Sequence, residues 1–273
     1  RPAPAVSGCP RGGRRSGKGA VSRQPGSARL AGSPGWAAAA DLLPMGRDIR
    51  MDSLSGFAAP SAVGHRNVLR SLELGGRRVL LGLGRVHLYE GHGPLAVVHP
   101  IRTAIAAGCR IVVLTNACGS IRTDWPVGGP VVLADHINFT GASPMPGTNP
   151  PPPWPGRFVS LTDLYSPRLR AVVHTIDPTI PEGIYVGFHG PEFETPAEVR
   201  MARSWGGDLV GMSTVLEAIA ACHMGAEVLG LSLVTNIAAG LTDTPLDAEH
   251  VIAVAGQSAP RAAELLRRIL QDL

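Results

Sequence analysis

The sequence predicts an α/β protein, and two repeated patterns in its second half support that prediction. Residues 195–198 (TPAE) and 214–217 (TVLE) are capping boxes, in which a Thr and a Glu three residues apart mark the start of a helix. Apolar runs at 209–212 and 228–235 follow these helix starts in turn, as expected of strands buried on both faces of a sheet. The order helix, strand, helix, strand indicates parallel α/β architecture, in which ligands bind beyond the carboxyl ends of the strands.

The length and composition fit one large domain. The chain has 273 residues, of which 44% are hydrophobic, and this is ordinary for a globular protein. No apolar run reaches the roughly 20 residues that cross a bilayer. The net charge of +4 arises in residues 1–40, which contain seven basic residues and no acidic one. The remainder is slightly acidic, so its charge gives no reason to expect nucleic-acid binding.

The first part of the chain predicts a disordered extension. Residues 1–30 are rich in Gly, Pro, Ser and Arg and lack hydrophobic periodicity. They also lack the apolar centre of a secretory signal. We therefore expect a basic disordered extension over 1–30 and a single domain over 31–273. The four cysteines show no zinc-type spacing and indicate free thiols, which suit a cytoplasmic location.

Hydrophobic periodicity predicts the remaining elements. Other expected elements, in addition to the two capped helices and their strands, are helices at 36–43, 100–107, 162–173 and 246–273, strands at 78–83, 110–115 and 131–139, and a loop at 54–60. Residues 24–31 show no strand pattern. The Pro-rich segment 141–156 is expected to be a long loop, and long loops in compact domains are often functional.

A candidate anion site follows the strand at 78–83. If the chain stays extended there, alternation places Arg85, His87 and Tyr89 on one face. A guanidinium offers a planar fork of donors and an imidazole adds a directional one, a combination that suits a dianion such as phosphate. Further polar side chains follow other strands, and Glu194, Ser213 and Asn236 all fall at expected strand ends.

Other familiar catalytic patterns are absent from the sequence. We find no nucleophile elbow, no metal-ligand cluster and no dinucleotide fingerprint, since GLGRVH does not fit G-x-G-x-x-G. Any chemistry must therefore depend on placing a substrate and stabilising charge, which is how general electrostatic catalysis works.

Several segments resemble one family closely. GPEFETPAE at 190–198, VGMSTVLEAIAA at 210–221, LSLVTN at 231–236 and GRVHLYEG at 84–91 are similar to signature segments of the trimeric, low-molecular-mass purine nucleoside phosphorylases. The resemblance covers about residues 32–273. It implies one mixed central sheet flanked by helices, a homotrimer, inorganic phosphate as co-substrate, and no metal or organic cofactor.

The resemblance also implies a phosphate site. Its members would be side chains or backbone groups that donate hydrogen bonds to an oxyanion: Ser33, His65, Arg85, His87, Ala117 through its N–H, and Ser213. The loop around Ser33 departs from the usual Gly-Ser-Gly turn because it reads GSPGW, with Pro34 inserted. Asn116 is followed by ACGS, in which Cys118 and Ser120 replace smaller family residues. We interpret Cys118 as a buried thiol without a reactive role.

A purine and ribose site is implied next to the phosphate site. Tyr89 and Met212 would border the ribose, and Phe193 would pack against the base. Glu194 would accept from the purine N1–H, and Asn236 would bind O6 and N7, where the bond strengthens as the base leaves. Adenine has no N1–H. The related methylthioadenosine phosphorylases end the equivalent strand in Thr-Asp, so Thr-Asn here favours 6-oxopurines.

Two further family features fall on changed positions. The family has a ribose-binding His near the start of the last helix, and that position is Ala248 here, with His250 the nearest histidine. An aromatic residue after the Pro-rich loop reaches a neighbouring subunit's site in the family, and Phe158 is the matching residue.

The sequence thus predicts phosphorolysis of inosine and guanosine, with Asn236, Glu194 and His87 as the catalytic residues. Two alternatives stay open. One is a phosphorylase of methylthioadenosine or adenosine. The other is a catalytically impaired purine-binding homologue, whose phosphate loop at Ser33 has degenerated.

Overall fold

A nine-stranded mixed sheet forms the centre of the protein. The computed structural model describes residues 27–31, 34–147, 154–243 and 246–273. The strands are β1 (Ser27–Ala31), β2 (Arg47–Arg50), β3 (Val68–Leu74), β4 (Arg77–Gly82), β5 (Cys109–Ser120), β6 (Pro130–Asn138), β7 (Glu182–Gly187), β8 (Leu209–Gly211) and β9 (Glu227–Ile237).

Six α-helices in the described ranges cover the sheet. They are α1 (Pro34–Ala40), α2 (Gly93–Ala106), α3 (Pro167–Ile176), α4 (Pro196–Ser204), α5 (Val215–His223) and α6 (Ala248–Asp272). The two predicted capping boxes are confirmed, because Glu198 accepts from the N–H of Thr195 and Glu217 from that of Thr214. The prediction of an α/β fold with one mixed sheet and flanking helices is confirmed.

Half of the sheet closes on itself. The strand order is β2-β3-β4-β1-β5-β8-β7-β6-β9, and β9 pairs back with β5. The pairs β1–β4, β1–β5, β5–β9, β6–β7 and β7–β8 are parallel, and the others are antiparallel. β5, β8, β7, β6 and β9 therefore form a closed ring, and β5 is the strand that joins this ring to the open half of the sheet.

β1 corrects one prediction about the start of the chain. Residues 27–30 were expected within the disordered extension, but they pair in parallel with β4 on one side and β5 on the other. A five-residue strand between two neighbours gains backbone hydrogen bonds on both edges, so it needs no hydrophobic period to form. The rest of the expected extension, residues 1–26, lies outside the described residues.

Other boundaries also differ from the prediction. α3 begins at Pro167 after the cap Ser166, and not at 162, because Ser166 supplies the capping oxygen and Pro167 favours a first helical position. β5 continues through residues 116–120, which were expected to leave the strand, because β9 pairs with it up to Ser120. β2, β3 and β7 were not predicted.

The core that holds the site lies around β5 and α6. Val113 on β5 and Leu229 on β9 are fully buried, and α6 packs on them with a stripe that includes Leu266 and Ile269. Trp36 of α1 is also fully buried, and its Nε1 donates to the carbonyl of Asn116 at 3.0 Å. This contact fixes α1 against the carboxyl half of β5, where the cavity described below begins.

Within the described ranges, no helix is long and apolar enough to cross a membrane.

Candidate functional site

A cavity of about 570 Å³ lies at the carboxyl ends of β5, β8 and β9. The segment before β3, the loops after β4 and β7 and the start of α6 form the rest of its walls. The sequence-predicted residues that the structure brings together on these walls are His65, His87, Tyr89, Ala117, Phe193, Glu194, Met212, Ser213 and Asn236. Their convergence follows from the fold, since strand ends that are far apart in sequence meet at one edge of the sheet.

A strained turn carries one wall of the cavity. The chain leaves β8 through Met212 and Ser213 and enters α5 through Thr214, which has a φ of +72°. A β-branched residue rarely adopts this conformation. Hydrogen bonds hold it there, because the Thr214 hydroxyl contacts Asn116 Nδ2 at 3.0 Å and Ser213 Oγ at 3.1 Å.

Arg85 lies behind this turn and not on the cavity surface. Its guanidinium donates to the carbonyl of Thr115 at 2.7 Å and to Thr214 Oγ1 at 3.3 Å. It also lies 3.5 Å from Glu217 Oε2, and both side chains are only 3% exposed. The ion pair was not predicted from the sequence, where Glu217 was interpreted only as a capping residue.

His65 is a neutral imidazole whose Nδ1 accepts a hydrogen bond. Its Nδ1 accepts the backbone N–H of Arg85 at 2.9 Å. Burial, together with the nearby charges of His87 and Arg85, lowers the pKa of His65 to about 3. The imidazole is therefore uncharged at neutral pH, and its proton lies on Nε2, which leaves a neutral donor in the cavity wall.

His87 is oriented by Glu90. The Glu90 carboxylate accepts from the backbone N–H of His87 at 2.7 Å and contacts its Nδ1 at 3.0 Å. Although burial raises the pKa of Glu90, hydrogen bonds from His87 and Ser61 lower it to about 2. An ionised carboxylate only accepts, so Nδ1 carries a proton and Nε2 is the ring nitrogen left for a ligand.

Tyr89 stacks on the His87 ring, with centroids 4.8 Å apart and planes 11° apart. Burial, and then the charge of Glu90, raise the pKa of Tyr89 to about 12. Its hydroxyl is therefore neutral and can both donate and accept. His65, His87 and Tyr89 form a continuous edge of rings, because the His65 ring also meets His87 edge-on at 5.0 Å.

A buried carboxyl also lines the cavity. Glu194 is 7% exposed, and its Oε1 has no hydrogen-bond partner among the described residues. Burial, with a smaller effect of Glu198, raises the pKa of Glu194 to about 7. A buried carboxyl oxygen without a partner is costly to ionise, so this group gains from a ligand that donates a hydrogen bond.

Asn236 lines the same cavity at the end of β9. Its Oδ1 accepts from Thr235 Oγ1 at 3.1 Å, and its Nδ2 donates to the carbonyl of Ile237 at 3.0 Å. A side chain at Gly119 would come within 3.1 Å of Asn236 Nδ2. The glycine on β5 therefore gives the amide its space. The two contacts fix the plane of the amide and leave each polar atom with further bonding capacity.

The first turns of α6 form a third wall, of which the sequence analysis singled out only Ala248. Ala248, Val251 and Ile252 line the cavity and lie at i, i+3 and i+4, which places them on one face of the helix. His250 is exposed and does not line the cavity. The apolar spacing was visible in the sequence and could have revealed this wall.

Two predicted residues in the described ranges, Arg85 and Phe158, do not line the cavity. Ser33 lies outside the described residues. Phe158 is 91% exposed and does not line the cavity. The Cys118 thiol does line the cavity, but burial raises its pKa well above the usual value, which agrees with an unreactive thiol. No group of three potential metal ligands is found in the described ranges.

A second cavity of about 340 Å³ lies along α2 and contains none of the predicted site residues. Pro146 and Trp154 are part of its wall. These two residues flank 148–153, which are outside the described part of the chain. We therefore restrict the functional argument to the larger cavity.

Comparison with known proteins gives one consistent family. The phosphorylase superfamily profile matches residues 39–271. A purine nucleoside phosphorylase of Cellulomonas sp is 51% identical over 241 residues, which are 86% of this chain and 83% of that protein. The purine nucleoside phosphorylase of Mycobacterium tuberculosis is 52% identical over 217 residues, or 80% and 78% of the two chains.

Solved structures agree with the sequence relatives. The crystal structure of Schistosoma mansoni purine nucleoside phosphorylase in complex with inosine has a TM-score of 0.82 at 32% identity, and covers 91% of this chain and 90% of that one. The same enzyme in complex with adenosine gives a TM-score of 0.83 at 32% identity, with 91% of each chain covered.

Proposed function

The chain belongs to the purine nucleoside phosphorylases of the phosphorylase superfamily, and from that membership we propose that its preferred substrates are the 6-oxopurine nucleosides inosine and guanosine. A purine nucleoside phosphorylase exchanges the base of a nucleoside for phosphate and releases a free purine and a pentose 1-phosphate. The observation that carries the substrate proposal is that the buried carboxyl of Glu194 and the amide of Asn236 line one cavity.

Phosphate would occupy the end of the cavity that contains His87, Ser213 and Ala117. His87 and the Ser213 hydroxyl present hydrogen-bonding groups there, and α5 begins directly after this turn. A helix N-terminus favours an anion. Arg85 would contribute its positive charge from behind the wall, either through the Thr214 turn or by moving toward the anion. We also include His65 and Ser33 among the residues proposed to bind phosphate, which makes six in total.

The ribose would lie between Tyr89 and Met212, and the base would lie against Phe193. The transition state has positive charge on the sugar and negative charge on the departing purine. Phosphate below the sugar stabilises the first, and Asn236 donating to N7 stabilises the second. Since these charges develop only as the bond breaks, both interactions lower the barrier more than they tighten substrate binding.

Glu194 would read the base through its protonation state. An ionised Glu194 accepts from the N1–H of hypoxanthine or guanine, and in guanine also from the 2-amino group. Because its pKa is about 7, a protonated Glu194 can instead donate to N1 of adenine. Discrimination against adenine therefore depends on Asn236 and on pH, and adenosine phosphorolysis is the second candidate. The cited S. mansoni complex with adenosine is an observation on that protein alone.

The experiment is release of hypoxanthine from inosine by the purified protein, with and without phosphate. We expect release that requires phosphate and yields ribose 1-phosphate. Equal release without phosphate would identify a hydrolase and contradict the proposal. Parallel assays with guanosine, the 2′-deoxy nucleosides and adenosine would rank the substrates.

We also propose a homotrimer without a metal or organic cofactor, located in the cytoplasm. Phe158, as a large apolar side chain left 91% exposed, would be covered by a neighbouring subunit. Cys109, Cys118 and Cys222 are free buried thiols, which suit a reducing compartment.

Three experiments test these proposals. Light scattering measures the mass of the assembly and so tests the trimer, and activity in the presence of a chelator tests whether a metal is required. A chain shortened to begin at residue 26 tests whether the basic extension is dispensable.

A further inference from the structure

We infer that Thr214 is a positioning residue, which presets the Ser213 hydroxyl as a hydrogen-bond donor to phosphate and links that hydroxyl to the buried charge of Arg85. This inference rests on the proposed function, since it takes phosphate as the anion beside Ser213. Arg85 does not line the cavity, so its charge needs a route through the wall. The hydrogen bonds around Thr214 provide that route.

Residues 213–215 form a γ-turn of the strained type, in which the central residue has a positive φ. The N–H of Val215 donates to the carbonyl of Ser213 at 2.7 Å, and Thr214 between them has a φ of +72° and a ψ of −48°. This turn is rare, and a β-branched residue at positive φ adds to its strain. Strained backbone persists only where surrounding contacts hold it, and it is concentrated at functional sites. The contacts that hold this turn therefore bear on the function of the site.

A buried tyrosine fixes the backbone of the turn. Tyr185 on β7 is fully buried, and its hydroxyl accepts the N–H of Ser213 at 3.2 Å. Gly211 gives this hydroxyl its space, because a side chain at that position would collide with it. The N–H of Ser213 is thus directed to β7 and not into the cavity. Its hydroxyl is therefore the group with which Ser213 can donate to a ligand.

The partners of Thr214 fix the direction of the hydrogen bond between its hydroxyl and that of Ser213. Thr214 Oγ1 accepts from Arg85 Nη1 at 3.3 Å and from Asn116 Nδ2 at 3.0 Å. A hydroxyl has two acceptor lone pairs and one proton, so these two bonds use both lone pairs. The proton is then directed to Ser213 Oγ, which lies 3.1 Å away. Ser213 Oγ accepts this bond and keeps its own proton for a ligand.

The same bonds connect Arg85 to the cavity. Arg85 lies 3.5 Å from Glu217 behind the wall, and both side chains are 3% exposed. Its guanidinium polarises the Thr214 hydroxyl, which in turn polarises the Ser213 hydroxyl, because hydrogen bonds in a chain strengthen one another. Ser213 lines the cavity, so an anion there would receive a stronger hydrogen bond than an isolated serine gives. An oxyanion such as phosphate fits this donor.

The test measures KM for phosphate and for inosine in Thr214→Val, which removes the hydroxyl and keeps the branched shape. Without the bond from Thr214, the Ser213 side chain must be ordered when phosphate binds, and both its χ1 and its hydroxyl torsion have about three staggered positions. We expect KM for phosphate to rise by about threefold to tenfold, while KM for inosine stays nearly unchanged. Thr214→Ser retains the hydroxyl and should restore the wild-type value.

The sign of the change is decisive. If Ser213 instead donated to Thr214, Thr214→Val would release the Ser213 proton, and KM for phosphate would fall. A fall, or no change, overturns the inference.

A second comparison separates positioning from a purely structural role. In a protein that already carries Ser213→Ala, Thr214→Val should raise KM for phosphate no further, because Thr214 acts through that hydroxyl. Thr195→Val is the matched control, since Thr195 is the capping-box threonine of α4 and does not line the cavity. It should lower stability to urea without raising KM for phosphate. An equal rise with and without the Ser213 hydroxyl, or an equal rise in the control, overturns the inference.

Asn116→Leu tests the same bond if Thr214→Val does not fold. Asn116 is fully buried and does not line the cavity. Without its N–H, Thr214 has a lone pair to which Ser213 can donate. The Ser213 proton then has an alternative to the ligand, so KM for phosphate should rise by about threefold. A value at or below that of the wild type overturns the inference.

Failure of the proposed function has a different outcome. If inosine is not cleaved with phosphate, the proposed function fails, and the Kd of inorganic phosphate, measured by calorimetry, replaces KM in each comparison. The same ratios between variants then support the role of Thr214. A wild-type protein that binds no phosphate, or a Thr214→Val protein that binds it as tightly as the wild type, overturns that role.

Discussion

At the proposed phosphate end of the cavity the charged side chains are paired with one another, whereas at the proposed base end a buried carboxyl has no such partner among the described residues. Arg85 lies 3.5 Å from Glu217, and Glu90 contacts His87 at 3.0 Å. Glu194, in contrast, has an Oε1 atom without a hydrogen bond to the described residues.

The difference shows two ways of preparing a site. The proposed phosphate end is organised without a ligand, because Arg85 is held by Glu217 and the strained turn at Thr214, and His87 is held by Glu90. This arrangement lowers the cost of reorganisation when the anion binds. At the proposed base end, only a ligand supplies the hydrogen bond that Glu194 Oε1 lacks among the described residues. The free energy of ionising this carboxyl therefore depends on which ligand binds there and on the pH. The predictions below test this contrast, from the largest expected effect to the smallest.

The largest effect is expected for Arg85→Ala. The substitution removes the charge proposed to hold phosphate and leaves Glu217, which is 3% exposed, without its cationic partner. Removing one member of a buried pair destabilises by about 3–5 kcal/mol. We expect turnover to be nearly abolished and the free energy of unfolding, measured with urea, to fall by that amount.

Two further variants separate stability from catalysis at this end. In Arg85→Met with Glu217→Leu, neither charge is buried alone, so stability should return while phosphorolysis stays lost. Arg122→Ala is the control, because its ion pair with Asp124 is exposed and should contribute about 0–1 kcal/mol. Recovery of activity in the double variant would show that Arg85 serves only the fold.

The second prediction concerns Glu194→Gln at the base end. The oxygen of the glutamine amide is neutral, so it accepts a weaker hydrogen bond from N1–H than a carboxylate oxygen does. A hydrogen bond to a charged group contributes about 1.5–3 kcal/mol. We expect kcat/KM for inosine to fall by roughly 10²-fold. Glu192→Gln is the matched control, since Glu192 is exposed two residues away and does not line the cavity. Equal losses in both variants would mean that the carboxyl does not read the base.

The third prediction concerns the same variant without ligand. Because the folded pKa of Glu194 is about 7 and the ordinary value is 4.5, its contribution to stability is fully present below about pH 4.5. It is lost as the pH rises through about 7, where the buried carboxyl ionises. Above pH 7, Glu194→Gln should therefore be more stable than the wild type by about 1–3 kcal/mol. Urea unfolding of both proteins at pH 5 and pH 8 measures this difference, and a constant difference at the two pH values would count against it.

The smallest effect on a single substrate is a change in kcat/KM with pH. Protonated Glu194 can donate to N1 of adenine, and ionised Glu194 accepts from N1–H of hypoxanthine. Between pH 6 and pH 8, kcat/KM should rise by about tenfold for inosine and fall by about tenfold for adenosine, so that their ratio rises by about 100-fold, because the ionised fraction of Glu194 rises through a pKa near 7. Glu194→Gln should flatten this dependence. A pH-independent ratio in the wild type would place the discrimination on Asn236 alone.

Local signals made most of the elements predictable. The capping boxes at Thr195 and Thr214 and the apolar run of β9 each depend on neighbouring residues, and the structure has them as expected. β1 was missed because its stability comes from pairing with two strands that are distant in sequence. The same reason explains why β5 extends further than predicted.

The sequence identified most of the residues that line the site, but it did not show how their charged side chains are paired. Strand ends and family segments pointed to Glu194, Asn236 and His87, and the structure places all three on the cavity. No sequence pattern showed that Glu194 lacks a partner, or that Glu217 pairs with Arg85. Both properties arise from contacts between segments far apart in the chain, which only the folded structure brings together.

The closed ring of strands has a consequence for synthesis of the chain. β5 is made early, yet Ile111 pairs with Glu227 on β9, and the ring cannot close until that late strand has left the ribosome. Until then β5 and β6 expose unpaired edges, which are templates for association with other chains. Pairing across so long a segment is also slow. We therefore expect nascent chains that stop before β9 to aggregate or bind chaperones, and the ring to close only after Ile237, the last residue of β9, has emerged from the ribosome.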